Sequence, residues 1–514
     1  MSLTENEYII GVDAGTTDLR AVVFDKYGNE VAQSRTPYET LYPNIGWAEQ
    51  DANDWSKAFI TTIKSLIRNS GISPNSIKAI GITHQRETFV PVDESGSPLR
   101  KAILWFDSRA TEQVEWLKEQ LTLNEILKIT GLPPATGWSL PKILWIKDHE
   151  KDIFDKTHKF LLVSDFLTFL STGEFKTSWA SACTTQLFDI NKFEWSSELL
   201  ERCQIPVTKL PLAVPPGEIL GYVTKKFSKE CMLPEGTPVV AGGGDQQCGG
   251  LGVGVVKSGI ASLNLGTSVI LEAFLETPII DPQLRYWLRL ACVPKKYIAE
   301  NGIGGGAYTL KWFKENFGAL ETEVAEKLGI NPYDILMIEA KKSPPGAQGL
   351  FIVPYWLGAF SPYYDSNASG VILGFRGAHR REHVIRAIIE GVAYEIRLNL
   401  NNLENALDSK INELRVYGGG AKSPLWCQII ADVCNKKVKL TQTEENTALG
   451  AAILAASKVF YSNIFEAVEQ MVHTRAEYNP IKENVELYEK NYMKVYRMIY
   501  QSLKSIYKEI SSVS

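Results

Sequence analysis

The chain has 514 residues and a mass of 57.3 kDa, with 45% hydrophobic and 22% charged residues, which excludes wholesale disorder and a fibrous architecture. Its 54 basic residues oppose 59 acidic ones without any dense Lys/Arg cluster, so a nucleic-acid partner and a polybasic membrane role are disfavoured. The seven cysteines are scattered without a CxxC pair, and no secretory pattern or bilayer-spanning apolar run is visible. We therefore expect a soluble cytoplasmic protein of several domains.

The chain opens with two predicted strands around a short polar loop. Residues 8–12 and 19–24 are apolar and rich in β-branched side chains, and the loop between them is centred on Gly15. A third strand is predicted at residues 30–34. Beyond it, amphipathic helical stretches at residues 55–69 and 110–120 alternate with short strands such as residues 77–82. This alternation indicates an α/β protein whose sheets are covered by helices.

An internal repeat relates the first half of the chain to the second. Residues 9–24 resemble residues 260–275, and DAGTT at residues 13–17 aligns with NLGTS at residues 264–268. A strand followed by Gly-Thr-Ser/Thr is common in α/β proteins, but the flanking apolar runs match as well. We therefore predict two domains, residues 1–257 and 258–514, with a hinge in the glycine-dense segment 242–254 and a terminal helix at about 480–514.

Two Gly-Thr loops on duplicated domains are suited to holding one anionic ligand between them. The backbone N–H groups of such turns bind phosphate oxygens, and the hydroxyl groups add further donors. Asp13, at the end of the first strand, would be placed to hold Mg²⁺, which needs only one or two carboxylates beside a phosphate. Each loop alone is a weak indication of a phosphate site, because most Gly-Thr turns only reverse the chain and bind no ligand.

Two other nucleotide-binding motifs fail on inspection. A Walker P-loop around residues 416–423 would require glycines where Val416 and Ala421 stand. The segment GIGGGA at residues 302–307 satisfies the dinucleotide pattern G-x-G-x-x-A, but no clear second strand carries the following acidic residues. Neither a P-loop NTPase nor an NAD-dependent oxidoreductase is favoured.

At this point the sequence resembles the FGGY family of carbohydrate kinases over nearly its whole length. The matching segments, in order, are DAGTT at 13–17, GWAEQD at 46–51, SLPKILWIKDH at 139–149, GDQQ at 244–247, GVILGF at 370–375 with HVIRAIIE at 383–390, VYGGGAKS at 416–423 and ENTALG at 445–450. The resemblance implies an α/β fold of two actin-like, ribonuclease-H-like domains around an ATP cleft.

The resemblance also implies roles for individual residues. Asp245 is expected to be the catalytic base and, with Asp13, a ligand of Mg²⁺. The residues expected around Mg²⁺–ATP are Asp13, Thr16, Thr17, Arg20, Thr267, Gly306, Gly419, Gly420 and Ser423. Gly306 is named because Ala307 stands where glycerol kinases have a glycine. The plainer alternatives are a helix-capping role for Asp245 and a surface position for Arg20.

The acceptor side resembles more than one member of the family. GITHQRET at residues 81–88 is similar to the glycerol kinase segment whose Arg-Glu pair binds polyol hydroxyls, which implies that Arg86 and Glu87 bind the acceptor with Trp105, Asp245 and Gln246. A local ion pair holding the loop is the alternative for Arg86 and Glu87. The W-x-D-x-R segment at residues 105–109 resembles xylulokinases, and Gly137 replaces the substrate tyrosine of glycerol kinases. The pocket should therefore admit a longer polyol, ketose or sugar acid, and an autoinducer-2-type acceptor also stays open.

We therefore predict an ATP- and Mg²⁺-dependent kinase of a small sugar, sugar acid or polyol, with glycerol, xylulose and gluconate as candidate acceptors. The alternative is an actin-like ATPase that is non-catalytic toward, or independent of, an acceptor. An added acceptor should be needed for ADP release by a kinase but not by such an ATPase. A homodimer is suggested by the resemblance alone, because no pattern in the sequence marks an interface.

Overall fold

The computed structural model describes residues 7–513, which contain 23 strands and 19 α-helices. The strands β1 to β23 are Tyr8–Ala14, Asp18–Asp25, Glu30–Pro37, Glu49–Gln50, Ile77–His84, Phe89–Val92, Ala102–Ile103, Lys159–Leu162, Lys176–Ser178, Phe188–Asp189, Glu194–Trp195, Leu212–Val214, Ile219–Tyr222, Pro238–Gly244, Ile260–Leu265, Val269–Leu275, Trp287–Leu290, Tyr297–Ile303, Phe351–Val353, Val371–Leu373, Glu413–Tyr417, Lys437–Thr441 and Thr474–Tyr478.

The helices cover both faces of the sheets. In chain order, α1 to α19 are Ala52–Ser70, Thr111–Gln120, Leu123–Thr130, Ser139–His149, Lys151–Lys156, Val163–Thr172, Trp179–Ala182, Ser197–Cys203, Lys225–Cys231, Asp245–Gly252, Gly306–Phe317, Ala319–Leu328, Pro332–Ala340, Arg381–Leu407, Pro424–Cys434, Asn446–Val459, Ile464–Met471, Lys482–Asn491 and Arg497–Val513. Within the described part of the chain, none of these helices is both long and apolar enough to cross a membrane.

Two large sheets repeat one arrangement. The first has the strand order β13-β14-β5-β1-β2-β3, and the second has β17-β18-β16-β15-β21-β22-β23. In the first sheet, β1 pairs antiparallel with β2 and parallel with β5. In the second, β15 pairs antiparallel with β16 and parallel with β21. The repeat seen in the sequence therefore corresponds to the same order of central strands in both halves, as duplication requires.

Local sequence accounts for the elements beside the first sheet. β1 buries Ile9, Ile10 and Val12 completely, because helices cover both faces of the sheet. The helix α1 begins after Asp51, whose side chain accepts a hydrogen bond from the Asn53 backbone N–H. It ends at Gly71, whose φ of 71° is the left-handed conformation that glycine adopts without strain.

The two halves interlock through α16. This helix belongs to the second half of the sequence, but it packs on β1, β5 and β14 of the first sheet. A Cβ atom on Gly11 or Gly81 would lie 2.0 Å from a backbone oxygen of α16, so only glycine allows this approach. The glycine-dense segment proposed as a hinge is not a loop, because it forms the end of β14 and the helix α10. The boundary at residue 257 stays a prediction.

The last two helices pack on α14 through a cluster of tyrosines. A single π-helical turn, Tyr492–Tyr496, joins α18 to α19. The buried carboxylate of Glu395 on α14 accepts hydrogen bonds from the hydroxyl groups of Tyr355, at 3.1 Å, and Tyr496, at 2.9 Å. Tyr500 of α19 stacks on Tyr363 with ring centroids 3.6 Å apart. The terminal helices are therefore part of the core of the second half.

Candidate functional site

The chemically active side chains follow three parallel strands of the first sheet. The strands β1, β5 and β14 are parallel neighbours, so their carboxyl ends lie at one edge. Asp13 stands near the end of β1, Arg86 and Glu87 follow β5, and Asp245 follows β14. The carboxyl edge of an open parallel sheet is where ligands bind in α/β proteins. Residues predicted separately from three sequence motifs are thus brought to one place.

Asp245 is the first residue of α10. Its Oδ1 accepts a hydrogen bond from the Gln246 backbone N–H at 2.8 Å and lies 3.5 Å from Arg86 Nε. Burial raises the pKa of this carboxyl above its usual range, and the positive charge of Arg86 opposes that rise. A carboxylate whose proton affinity is raised in a cleft is suited to accept a proton from a hydroxyl group.

Asp13 is suited to a divalent cation. Burial raises its pKa to about 7, the charge of Asp245 adds to the rise, and Arg20 acts against it. Its Oδ1 is buried and has no hydrogen-bond partner within residues 7–513. Over the same residues, no group of three or more His, Cys, Asp or Glu side chains could hold a metal unaided. One or two carboxylates completed by phosphate oxygens are the usual environment of Mg²⁺, which these residues fit.

The first hairpin, formed by β1 and β2, is held in place from two sides. Gln50 donates from Nε2 to the Thr16 carbonyl oxygen at 2.7 Å, and Trp105 donates from Nε1 to Thr16 Oγ1 at 3.1 Å. Thr17 is exposed at the tip of the hairpin. Arg20 is not a free surface residue, because its Nη1 lies 2.5 Å from Glu445, immediately before α16. The hairpin thus contacts Trp105 on one side and the second half of the chain on the other.

Arg86 and Glu87 form their closest ion pairs with residues of the second half of the chain. Arg86 donates from Nη1 and Nη2 to the carboxylate of Glu300 on β18, at 2.5 and 3.2 Å. Glu87 Oε1 lies 3.2 Å from Nη1 of Arg289 on β17, and 3.9 Å from Arg86 Nε. Burial raises the pKa of Glu87, and both arginines oppose that rise. The residues Arg289 and Glu300 were not identified from the sequence, because no motif surrounds them.

Trp105 and Gly137 lie side by side. Trp105 is 44% exposed. A Cβ atom on Gly137 would meet only the Trp105 carbonyl oxygen within 4 Å, at 3.4 Å, so there is room for a side chain at this position. Lys142 ties the two segments together by donating to the carbonyl oxygens of Leu104, at 2.9 Å, and Gly137, at 2.7 Å. Burial lowers the pKa of this lysine to about 7.

Gln246 lies between the two halves. Its Oε1 accepts hydrogen bonds from Asn264 Nδ2 at 3.0 Å and from the Tyr417 hydroxyl at 3.4 Å. The strands β15 and β16 form the second hairpin, in which Asn264 occupies the position that Asp13 has in the first. Gln246, on α10, therefore links this helix to the second hairpin.

A cavity of about 470 Å³ lies against the second hairpin. Four predicted nucleotide-side residues line it, namely Thr267, Gly419, Gly420 and Ser423. A Cβ atom on Gly419 would meet nothing within 4 Å, so glycine here leaves space for a ligand and is not demanded by packing. The volume is in the range of small-molecule sites. Other wall residues that the sequence did not identify are Tyr308, Lys311, Tyr333, Met337 and Trp426.

The predicted residue Gly306 lies beside this cavity. It begins α11, and a Cβ atom there would come within 2.9 Å of the carbonyl oxygens of Gly266 and Thr267. The next residue, Ala307, lines the cavity and donates from its backbone N–H to the Gly266 carbonyl oxygen at 2.9 Å. Gly306 thus allows α11 to approach the second hairpin closely.

Comparison with known proteins accounts for this arrangement. Residues 8–252 match the model for the FGGY family of carbohydrate kinases, N-terminal domain, and residues 261–459 match the model for its C-terminal domain. The chain is 32% identical over 515 residues to a xylulose kinase of Staphylococcus epidermidis, with 99% of each chain covered. It is 32% identical to a glycerol kinase of Thermococcus onnurineus, with 93% of this chain and 94% of the relative covered.

Among solved structures, a ligand-bound xylulose kinase from Lactobacillus acidophilus superposes with a TM-score of 0.88 at 25% identity, covering 98% of this chain and all of that one. The expected α/β fold of two actin-like domains around an ATP cleft is thereby confirmed. The chain belongs to the FGGY family of carbohydrate kinases, enzymes that phosphorylate small sugars or polyols at the expense of ATP.

Proposed function

We propose that this kinase phosphorylates a primary hydroxyl group of a five-carbon ketose of the xylulose type. Arg86 and Glu87 bind the hydroxyl groups of the acceptor, Trp105 packs against its carbon skeleton, and Asp245 and Gln246 lie at the reacting end. The second hairpin, Gly419, Gly420 and Ser423 face the nucleotide. The proposal is supported most by the convergence of Arg86, Glu87 and Asp245 at the carboxyl edge of one sheet, beside the hairpin that holds Thr16.

The choice of a ketose over glycerol is supported by the space beside Trp105. With glycine at position 137, an added Cβ atom would meet only the Trp105 carbonyl oxygen within 4 Å, so this position leaves room that a longer acceptor can use. Relatives that are 30–32% identical to this chain over nearly its full length include xylulose kinases. Asp107 and Arg109 of the W-x-D-x-R segment support the loop, because Arg109 Nη2 lies 2.8 Å from Asp107 and the guanidinium lies 3.8 Å above the Trp47 ring.

In the proposed reaction, the hydroxyl oxygen of the acceptor attacks the γ-phosphorus of ATP. The bond between that phosphorus and the β–γ bridging oxygen breaks, ADP leaves, and the hydroxyl proton passes to the Asp245 carboxylate. Phosphoryl transfer depends chiefly on positioning and on neutralising charge. Asp13 and Asp245 would hold Mg²⁺, which when bound neutralises phosphate charge. Arg20 and the hydroxyl groups of Thr16, Thr17 and Thr267 would orient the phosphates.

A coupled ADP-release assay tests the acceptor. The panel is D-xylulose, D-ribulose, L-fuculose, D-gluconate, glycerol, erythritol and 4,5-dihydroxypentane-2,3-dione, with an assay lacking any acceptor as the control. We expect the highest kcat/KM with D-xylulose and little ADP without acceptor. A clear preference for another member would reject the ketose assignment, and equal ADP release without acceptor would favour an actin-like ATPase.

The placement of the acceptor is tested by removing the two side chains that follow β5. We expect Arg86→Ala and Glu87→Ala to raise the acceptor KM or abolish activity while ATP affinity stays unchanged, because a buried polar partner would be left unpaired. Activity is measured by ADP release, and ATP affinity by calorimetry on the free enzyme. Weaker ATP binding with an unchanged acceptor KM would place this loop at the phosphates. A cytoplasmic location and a homodimer remain predictions.

A further inference from the structure

Four charged side chains form a closed ring at the loop that follows β5, and two of them come from each half of the chain. Arg86 is held by both carboxylate oxygens of Glu300, at 2.5 and 3.2 Å. Arg289 donates from Nε to Glu300 Oε1 at 3.2 Å, and its Nη1 lies 3.2 Å from Glu87 Oε1. The ring closes between Glu87 and Arg86, at 3.9 Å. Positive and negative groups therefore alternate around it.

The ring is deeply buried. Arg289 and Glu300 are each only 1% exposed. Burial opposes ionisation of Glu300, but the charges of Arg86 and Arg289 more than offset it and lower its pKa to about 2. A buried charge that loses its partner is costly, since the remaining group keeps its charge without solvent or a counterion. Each member of the ring thus depends on the others for its charge and orientation.

Arg289 is fixed by aromatic rings as well as by charge. Its guanidinium lies 5.0 Å from the ring centre of Trp138 and 6.0 Å from that of Trp287. The two indoles pack edge to face, with centroids 5.3 Å apart. Trp138 directly follows Gly137, the position that opens space beside Trp105. Arg289 therefore reaches the acceptor side from the second half of the chain.

We propose that Arg289 and Glu300 are positioning residues of the acceptor site, which orient Glu87 and Arg86, respectively, toward the hydroxyl groups of the acceptor. This inference rests on the proposed function, because it assumes that Arg86 and Glu87 bind the acceptor. The acceptor site then depends on both halves of the chain, although the residues that contact the acceptor belong to the first half.

The geometry of Arg86 supports orientation over simple attachment. Glu300 occupies the two terminal nitrogens of the guanidinium, and the remaining Nε faces Asp245 at 3.5 Å. Glu300 therefore determines which edge of Arg86 faces the reacting end. Without Glu300, the terminal nitrogens would be free to rotate toward Asp245 and replace its 3.5 Å contact with Nε by a closer ion pair.

The geometry of Glu87 points the same way. Its φ of 62° lies in the left-handed region, which residues other than glycine seldom adopt and which is often found at functional sites. Within residues 7–513, neither Glu87 Oε1 nor Arg289 Nη1 has a hydrogen-bond partner, although both atoms are buried. Their contact is close but not directed as a hydrogen bond, so the oxygen stays able to accept from a hydroxyl group.

The test compares Arg289→Met, Arg289→Lys and Glu300→Gln with wild type, using D-xylulose or, should another sugar of the panel react better, that sugar. Arg285→Met is the matched control, because Arg285 lies four residues earlier and pairs locally with Asp281. We expect Arg289→Met and Glu300→Gln to raise the acceptor KM about tenfold or more with the KM for ATP unchanged. Arg289→Lys, which keeps the positive charge, should recover part of the loss.

A double-mutant cycle isolates the action through Arg86. In the Arg86→Ala background, we expect Glu300→Gln to cause little further rise in the acceptor KM, because its target is already absent. Fully additive effects would overturn the inference, as would equal losses for both substrates or a lower melting temperature without any change in KM. Should Arg289→Met fail to fold, Arg289→Lys and Glu300→Gln decide, and an unchanged acceptor KM in both overturns the inference. If Arg86→Ala itself spares the acceptor, the proposed acceptor placement fails instead.

Discussion

Asp245 combines a partly buried carboxyl, a neighbouring guanidinium and a position at the start of a helix, and its replacement is the most direct residue-scale test. We expect Asp245→Asn to lower kcat by about 10²- to 10⁴-fold, because the amide keeps the shape but cannot accept the proton. ATP binding, measured by calorimetry, should change little. Asp93→Asn, in an exposed turn, is the control. Turnover near wild type in Asp245→Asn would place the base elsewhere.

Gly137 offers a second test at the scale of one residue. We expect Gly137→Tyr to raise the ratio of kcat/KM for glycerol to that for D-xylulose, because the ring would fill the open space next to the Trp105 backbone. A change of only one methylene group in an apolar pocket alters selectivity by about 10- to 200-fold. The matched control is Gly377→Tyr, where a Cβ atom would meet nothing within 4 Å. A ratio that does not move would show that position 137 lies outside the acceptor pocket.

The sequence identified the first-half residues of the site better than their second-half partners. Arg86, Glu87 and Asp245 stand in recognisable segments at the ends of predicted strands. Arg289 and Glu300 lie about two hundred residues from the loop they contact, and only the fold brings them to it. Asp245 also directly follows the three glycines that end β14, and its role as the base stays a prediction.

At the scale of elements, the docking of the terminal helices on α14 should depend on pH. Burial raises the pKa of Glu395 from the ordinary value of 4.5 to about 7. The folded chain therefore holds this proton more tightly than the unfolded chain does. The resulting stabilisation is full below about pH 4.5 and is lost as the pH rises through about 7, on the order of 3 kcal/mol in all.

The variant Glu395→Gln checks this expectation, since the amide cannot ionise. We expect the melting temperature of wild type to fall more between pH 5 and pH 8 than that of Glu395→Gln, by a few degrees. Other titrating groups are common to both proteins and cancel in the difference. Glu486→Gln, on the exposed face of α18, should behave like wild type. Parallel pH profiles for wild type and Glu395→Gln would contradict the assignment.

Regular elements followed from the sequence where periodicity was strong. The first hairpin, the helix α1 and the strand β5 all formed where alternating or amphipathic patterns predicted them. The segment 242–254 forms the end of β14 and the helix α10, where Gly252 allows a close approach to Asn446 of α16, and its role as a hinge stays a prediction. The π turn at Tyr492–Tyr496 had no sequence pattern of its own, since it depends on tyrosine packing against α14.

At the scale of the whole molecule, the two halves should close on their ligands. The first hairpin belongs to one half and the cavity lined by Thr267 and Gly419 to the other, so both can touch one triphosphate only when the cleft is narrow. We expect the radius of gyration from small-angle scattering to fall with D-xylulose plus a non-hydrolysable ATP analogue. Arg86→Ala should close less on adding the sugar. An unchanged radius of gyration in the ternary state would contradict closure.

Duplication was predictable at this scale, but the interlocking of the halves was not. The repeated Gly-Thr loops predicted two equivalent sheets, and the strand orders agree with that prediction. No pattern within residues 446–459 distinguishes a helix that covers its own sheet from one that covers the other. The distinguishing feature is Gly11 opposite Ala448 and Gly81 opposite Ala451, which becomes visible only in three dimensions.

The position of α16 has a consequence for the folding of the nascent chain on the ribosome. All strands of the first sheet have been synthesised by residue 244, but one face of the sheet is covered only after residues 446–459 have been synthesised. At ordinary elongation rates, roughly 10–40 s separate the two events. During that interval, Ile9, Val22 and Val240 lack their final cover, so the nascent chain presents an apolar surface to chaperones. A ribosome stalled after residue 257 should therefore carry an aggregation-prone first half, which α16 supplied as a separate peptide would protect.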